Sequence, residues 1–82
     1  MSYSLLILRG AARQFAALPA EAFAEVRDRI RRLAADPLPP EAAQIAGQEG
    51  WRVRAGSYRV IYEVDTRAAR VTVLDVSRRA DA

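Results

Sequence analysis

The sequence contains no cysteine, no histidine and no lysine. The lack of cysteine excludes disulfide staples and thiolate chemistry and fits a reducing compartment, so a cytoplasmic location is expected. Without histidine or cysteine the usual zinc sites and histidine-based triads cannot be built, and the scattered acids show no metal-ligand spacing. No metal and no cofactor is expected. No apolar run approaches the ~20 residues of a membrane span, and the N-terminus lacks a basic region followed by an apolar stretch and a cleavage site, so no membrane partner is expected. There is no G-x-G-x-x-G or Walker motif to cradle a phosphate. The four serines, Ser2, Ser4, Ser57 and Ser77, have no neighbouring base to activate them.

Eighty-two residues, 51% of them apolar, suit one small domain over residues 1–82 with a single modest core. All thirteen basic residues are arginine, permanently charged and unable to act as ordinary general bases. Residues 1–50 hold six arginines against six acids, whereas residues 51–82 hold seven against four. The net charge of +3 therefore sits entirely in the second half of the chain.

Tyr3 to Leu8 is a compact apolar run, read as a strand with both faces largely covered. Ala12, Phe15 and Ala16 at helical spacing, with Pro19 beyond, predict a short helix over 11–18. Phe23, Val26, Ile30 and Leu33 recur at three- and four-residue steps and predict a helix over 20–35. Glu25, Asp28, Arg29, Arg31 and Arg32 fall on its polar face, with Glu25–Arg29 and Asp28–Arg32 as favourable pairs. Asp36-Pro37 ends it, and a connector runs to Gly50 in which Ile45, Ala46 and Gly47 could form a turn or a short edge strand. A third consecutive strand follows the segment Trp51–Asp65, within 70–76.

Trp51–Asp65 alternates apolar and charged residues on both sides of Gly56-Ser57 and reads as a β-hairpin. Period-2 geometry places Trp51, Val53, Ala55, Tyr58, Val60, Tyr62 and Val64 on one face and Arg52, Arg54, Arg59, Ile61 and Glu63 on the other. Trp51, Tyr58 and Tyr62 read as core aromatics. Three arginines crowded on a short ribbon repel one another, a cost that a polyanionic partner would relieve. The predicted fold is α+β in the order β-α-α-β-β-β, a two-helix hairpin on a mostly antiparallel four-stranded sheet. With histidine, lysine and cysteine gone, arginine forks on phosphate, tyrosine and a few carboxylates remain as chemistry, which points to nucleic acid.

That element order, the segment Ala12-Arg13-Gln14-Phe15-Ala16-Ala17-Leu18-Pro19, the hairpin Trp51 to Val64 and the ending Val76-Ser77-Arg78-Arg79 resemble the RelE/ParE superfamily of bacterial toxins over essentially the whole chain. The resemblance implies the toxin of a type II toxin–antitoxin system, neutralised by a cognate antitoxin protein. RelE-type members are ribosome-dependent endoribonucleases acting on messenger RNA; ParE-type members inhibit DNA gyrase. A third reading is an attenuated relative that only binds its antitoxin. By this resemblance Arg59 and Arg79 would be catalytic, and Arg52, Arg54 and Arg78 would bind RNA. No tyrosine follows Arg79 at the late position where RelE-type members carry one, and Arg52 and Arg54 stand where the best-known members have lysine. RNA cleavage that leaves a 2′,3′-cyclic phosphate is expected to be weak for both reasons.

Overall fold

The computed structural model describes residues 2–45, 47 and 50–79. The order is β1 (Ser4–Ile7), α1 (Arg9–Ala16), α2 (Ala20–Ala35), β2 (Ala43–Gln44), β3 (Trp51–Ala55), β4 (Tyr58–Asp65) and β5 (Arg70–Arg78). The strands form one sheet in the order β1-β5-β4-β3-β2. β1 runs parallel to β5, and the other pairings are antiparallel. The α+β class and the helical hairpin agree with the sequence reading; the strand count is five where four were expected. The extra strand is the two-residue β2, which pairs Ala43 with Arg52 and Gln44 with Trp51. It comes from the connector at Ala43–Gln44, just before the Ile45–Gly47 stretch, of which Ala46 lies outside the described residues.

The hairpin forms as its alternation dictates. Trp51 faces Tyr62, Val53 faces Val60 and Ala55 faces Tyr58, all on the side the helices cover. At the turn, Gly56 has φ +60 and Ser57 does not share the positive φ, the pattern of a type II′ turn with glycine first. A Cβ on Gly56 would also run into the Glu25 carboxylate of α2. The turn therefore requires glycine for its conformation, while the exposed Glu25 side chain could swing away from a Cβ.

Between β4 and β5 the register slips. Ile61 faces Asp75 while Tyr62 faces Val73, so Leu74 is the extra residue of a bulge. The inward positions of β5 become Val71, Val73 and Val76, all buried. Together with Val26, Ile30 and Leu33 of α2, Ala11 of α1, and Val53, Ala55, Val60 and Tyr62 they make the core. Phe15 and Phe23 join α1 to α2 at its margin, their rings stacked with centroids 4.3 Å apart.

Three local expectations are corrected. β1 is not covered on both faces: Leu5, Leu6 and Leu8 are 37%, 46% and 43% exposed, because Leu6 pairs with Thr72 on the helix-free face and β1 lies at the margin of the sheet. The first helix spans Arg9–Ala16, two residues earlier than 11–18 at each end. Its start is fixed by β1, whose ladder ends where Leu8 N–H donates to Val73 O at 3.1 Å. Arg29 is not on a solvated face; it is buried and pairs with Glu41, and neither Glu25–Arg29 nor Asp28–Arg32 forms among the described residues.

Where β1 stops, α1 takes over the edge of β5. The Gln14 amide accepts the Val76 N–H through Oε1 at 2.9 Å and donates through Nε2 to Asp75 Oδ1 at 2.9 Å. One side chain thus replaces the strand partner that the bulged edge lacks, so that its backbone donor is not buried unpaired. The helix that continues from β1 and the outermost ladder are one unit.

Ile30 is 3% exposed at the centre of the helix–sheet contact. Ile30→Asp removes its apolar contacts and buries an unpaired carboxyl, a cost of about 4 kcal/mol or more. Thermal unfolding followed by circular dichroism should show no cooperative native transition at 37 °C; an unchanged melting curve would refute this packing.

Candidate functional site

Because the helices cover one side of the sheet, the residues paired across the other side stay open. Register brings Arg54, Arg59 and Ser77 into one row across β3, β4 and β5, and Arg52, Ile61 and Asp75 into the next. Arg54 stands directly opposite Arg59, a like-charge pair that destabilises a bare ribbon. None of Arg52, Arg54 and Arg59 makes an ion pair among the described residues. The buried Nε of Arg59 has no hydrogen-bond partner. Because Nε is closed to solvent, an anion would meet this guanidinium at its terminal nitrogens, which are not among the buried unmet atoms.

The remaining predicted site residues lie at the tip of the same hairpin, on two sides. Arg79 N–H donates to Ser57 O at 2.9 Å, and its Nη1 lies 3.4 Å from Gly56 O, which fixes the chain end beside the turn. Arg78 pairs with Tyr58, whose side chain belongs to the helix side, and its guanidinium lies 5.9 Å from the Tyr58 ring centroid. So Arg52, Arg54 and Arg59 share one face, Arg79 adjoins the turn, and Arg78 projects to the other side.

One acidic residue on the arginine face, Asp75, went unnoticed in the sequence. Asp75 accepts from Ser77 Oγ at 2.7 Å as well as from Gln14, so its carboxylate is held in place beside the arginine rows. No spacing rule could have found it, since the bulge at Leu74 resets the alternation of β5. The sheet is also tied down from the connector. Tyr62 OH donates to Pro37 O at 2.8 Å, and Arg29 Nη2 donates to Glu41 Oε2 at 2.5 Å. The Glu41 carboxyl is held below the usual carboxylate range first by its own backbone N–H and then, against the opposing effect of desolvation, by Arg29.

Burial pushes the Tyr62 hydroxyl up to about 12, with Arg29 pulling against it, so this phenol stays neutral and serves packing. No cluster of acids that could hold a metal ion is present among the described residues, and no described helix is long and apolar enough to cross a membrane. Two surface pockets flank the hairpin. One, about 240 Å³, is lined by Arg29, Arg32, Glu41, Arg52 and Arg54. The other, about 650 Å³, lies toward the β4–β5 turn, where Glu63 and Asp65 offset Arg67 and Arg70. The larger is the less charged of the two, and the arginine rows adjoin the smaller.

Two helices packed on a five-stranded mixed sheet match the fold of solved RelE-like toxin structures. Residues 6–82 match the family model of the ParE toxin of type II toxin–antitoxin systems, so the chain belongs to that toxin family, within the RelE/ParE superfamily. Solved structures agree in fold. The chain is similar to one in the RelBE2 toxin–antitoxin complex of Mycobacterium tuberculosis, with 24% identity, a TM-score of 0.86, and 96% of this chain and 100% of that one covered. It is similar to one in the archaeal RelE–RelB complex of Pyrococcus horikoshii, with 25% identity, a TM-score of 0.83 and 100% of both chains covered. It also resembles isolated Escherichia coli RelE, with 15% identity, a TM-score of 0.85, and 99% of this chain and 88% of that one covered. No curated protein sequence matches it.

The Tyr62 shift has a consequence for stability. A phenol whose folded value is raised holds its proton more tightly when folded, so its contribution is complete below pH 10 and is lost as pH rises from about 10 through about 12. Melting temperatures of wild type and Tyr62→Phe measured across pH 8–12 should converge and then cross as pH rises above 10, after a deficit of about 1 kcal/mol for Phe at neutral pH from the lost bond to Pro37 O. Parallel pH curves would contradict it.

Proposed function

We propose that this toxin acts as a ribosome-dependent endoribonuclease that cuts messenger RNA and so inhibits translation in the cytoplasm. The observation that carries the reading is the arginine row on the helix-free face, with Arg54 opposite Arg59 and the Arg59 Nε unmet. Such an arrangement is costly alone and favourable around a phosphodiester. In this reading the 2′-hydroxyl attacks the adjacent phosphate and expels the 5′-oxygen, leaving a 2′,3′-cyclic phosphate. Arg59 and Arg79 stabilise the charge on the phosphate oxygens, and Arg52 and Arg54 bind the strand beside them, while Arg78, which projects to the helix side, lies off that face. Tyr62 is buried and neutral, so it takes no part in proton transfer. Catalysis rests on position and charge, and a carboxylate, another tyrosine, water or ribosomal RNA accepts the proton.

The match to the ParE model favours a second reading, inhibition of DNA gyrase through a protein contact on the same face. Primer extension on messenger RNA after induction, beside a plasmid-supercoiling assay, separates the two. Discrete cleavage ends with unchanged supercoiling support the nuclease; intact messenger RNA with relaxed plasmid DNA overturns it in favour of gyrase. Arg59→Ala or Arg79→Ala should lower cleavage by ~10² or more, as loss of one charge-stabilising donor does, with an unchanged melting curve.

The partner proposed for control is a cognate antitoxin, in keeping with the toxin–antitoxin complexes among the similar structures. A segment with acidic residues would be steered to the arginine face and pair there. Arg52→Glu combined with Arg54→Glu should slow association and flatten its dependence on salt in stopped-flow measurements. Rates indifferent to both salt and substitution would remove the electrostatic part of the proposal.

A further inference from the structure

α2 crosses the covered face of the sheet, with Glu25 against Gly56 at the hairpin tip, and its Arg29 and Arg32 line one pocket with Arg52 and Arg54 of β3. Glu25, Arg29 and Arg32 fall at i, i+4 and i+7, a flank of α2 adjacent to the stripe Val26, Ile30 and Leu33 that enters the core. Beyond Trp51 and Arg52 the edge of β3 has no strand partner among the described residues, because β2 pairs with those two alone. The seam between helix and strand therefore stays open as the 240 Å³ pocket, where four arginines face the carboxylate of Glu41. Glu41 is occupied by Arg29, which is only 4% exposed. Arg32, Arg52 and Arg54 make no ion pair among the described residues, although Arg32 lies close enough to Glu41 to help lower its carboxyl.

We infer that this seam is a second phosphate site, outside the arginine row of the sheet face, which grips a further phosphodiester of the bound RNA strand as it crosses the edge of β3. The inference rests on the nucleic-acid reading of the face and adds to it Arg32, a residue on a helix, and the Arg29–Glu41 pair as its floor. Arg52 and Arg54 belong to both sites, so a strand lying over Arg59 meets the seam by continuing across β3. Glu41 sets the strength of the site. Its charge anchors Arg29 and offsets one guanidinium, leaving enough positive charge for a phosphate and limiting how tightly one is held.

The test is fluorescence anisotropy of a short fluorescein-labelled single-stranded RNA across a range of salt concentrations. Arg32 is exposed, so Arg32→Ala should fold as the parent does, which its melting curve checks. It should weaken binding about tenfold and lower the salt slope by about one, the signature of one lost phosphate contact. Glu41→Gln, which keeps an amide oxygen to accept from Arg29 and whose fold its melting curve also checks, should do the opposite and tighten binding, while Arg67→Ala, at the other end of the sheet, should change neither. If Arg32→Ala and Glu41→Gln bind as the parent does while Arg54→Ala binds more weakly, the seam holds no phosphate although the sheet face does. If Arg54→Ala and Arg59→Ala also bind like the parent, or the parent binds no RNA, the seam inference is overturned, and the nuclease reading itself is decided by the primer-extension map. A change in antitoxin association by Arg32→Ala with RNA binding unaltered would overturn the inference in favour of a protein carboxylate.

Discussion

The structure depends on one constraint, that a β-strand has two faces and only one of them can be buried. β4 is the central strand of the sheet, and Val60 and Tyr62 on it are completely buried beneath α2. Each buried side chain of that size contributes about 1.5–3 kcal/mol. With Val53 and Ala55 opposite them, the total outweighs the few tenths to about 1 kcal/mol that facing like charges cost on an exposed ribbon. The hydrophobic face therefore decides the orientation, and Arg52, Arg54 and Arg59 go outward whatever their mutual repulsion. The candidate site is held by the core that lies one residue away on either side.

The same constraint explains the irregularities. A one-residue slip would turn every side chain of a strand over, so the β4–β5 pairing absorbs Leu74 as a bulge and keeps Val71, Val73 and Val76 inward. That bulge turns Asp75 onto the arginine side and leaves the edge of β5 without a regular ladder, and α1 supplies Gln14 to meet it. α1 begins where it does because β1 can pair only as far as Ile7 with Val73. The outward placement of Asp75 is the consequence of one extra residue.

Much of this was legible in the chain. The hairpin, its inward set, the span of α2 and the shared face of Arg52, Arg54 and Arg59 follow from periods of two and 3.6 with no knowledge of neighbours. What was not legible depends on neighbours. The apolar run Tyr3–Leu8 reads the same whether one side or both is covered, and only the sheet order makes β1 an edge. β2 is two residues long, too short to carry a periodic signal. Arg29 looks like its polar companions on α2, yet it is buried because Glu41, twelve residues on, returns to pair with it. Long-range pairing of this kind leaves no local trace.

The burial of Arg29 also bears on how the open face keeps its shape. A buried guanidinium is tolerated only when its charge is met, and Glu41 meets it from the connector that Tyr62 also holds through Pro37 O. The connector is thereby fixed to α2 at one point and to the centre of the sheet at the other. With its ends so held, Ala43 and Gln44 are set against Arg52 and Trp51, and the edge of β3 is closed there and left open beyond. Where positive charge can be approached from the side is thus determined by an ion pair and a phenol that themselves contact neither Arg54 nor Arg59 through any hydrogen bond among the described residues.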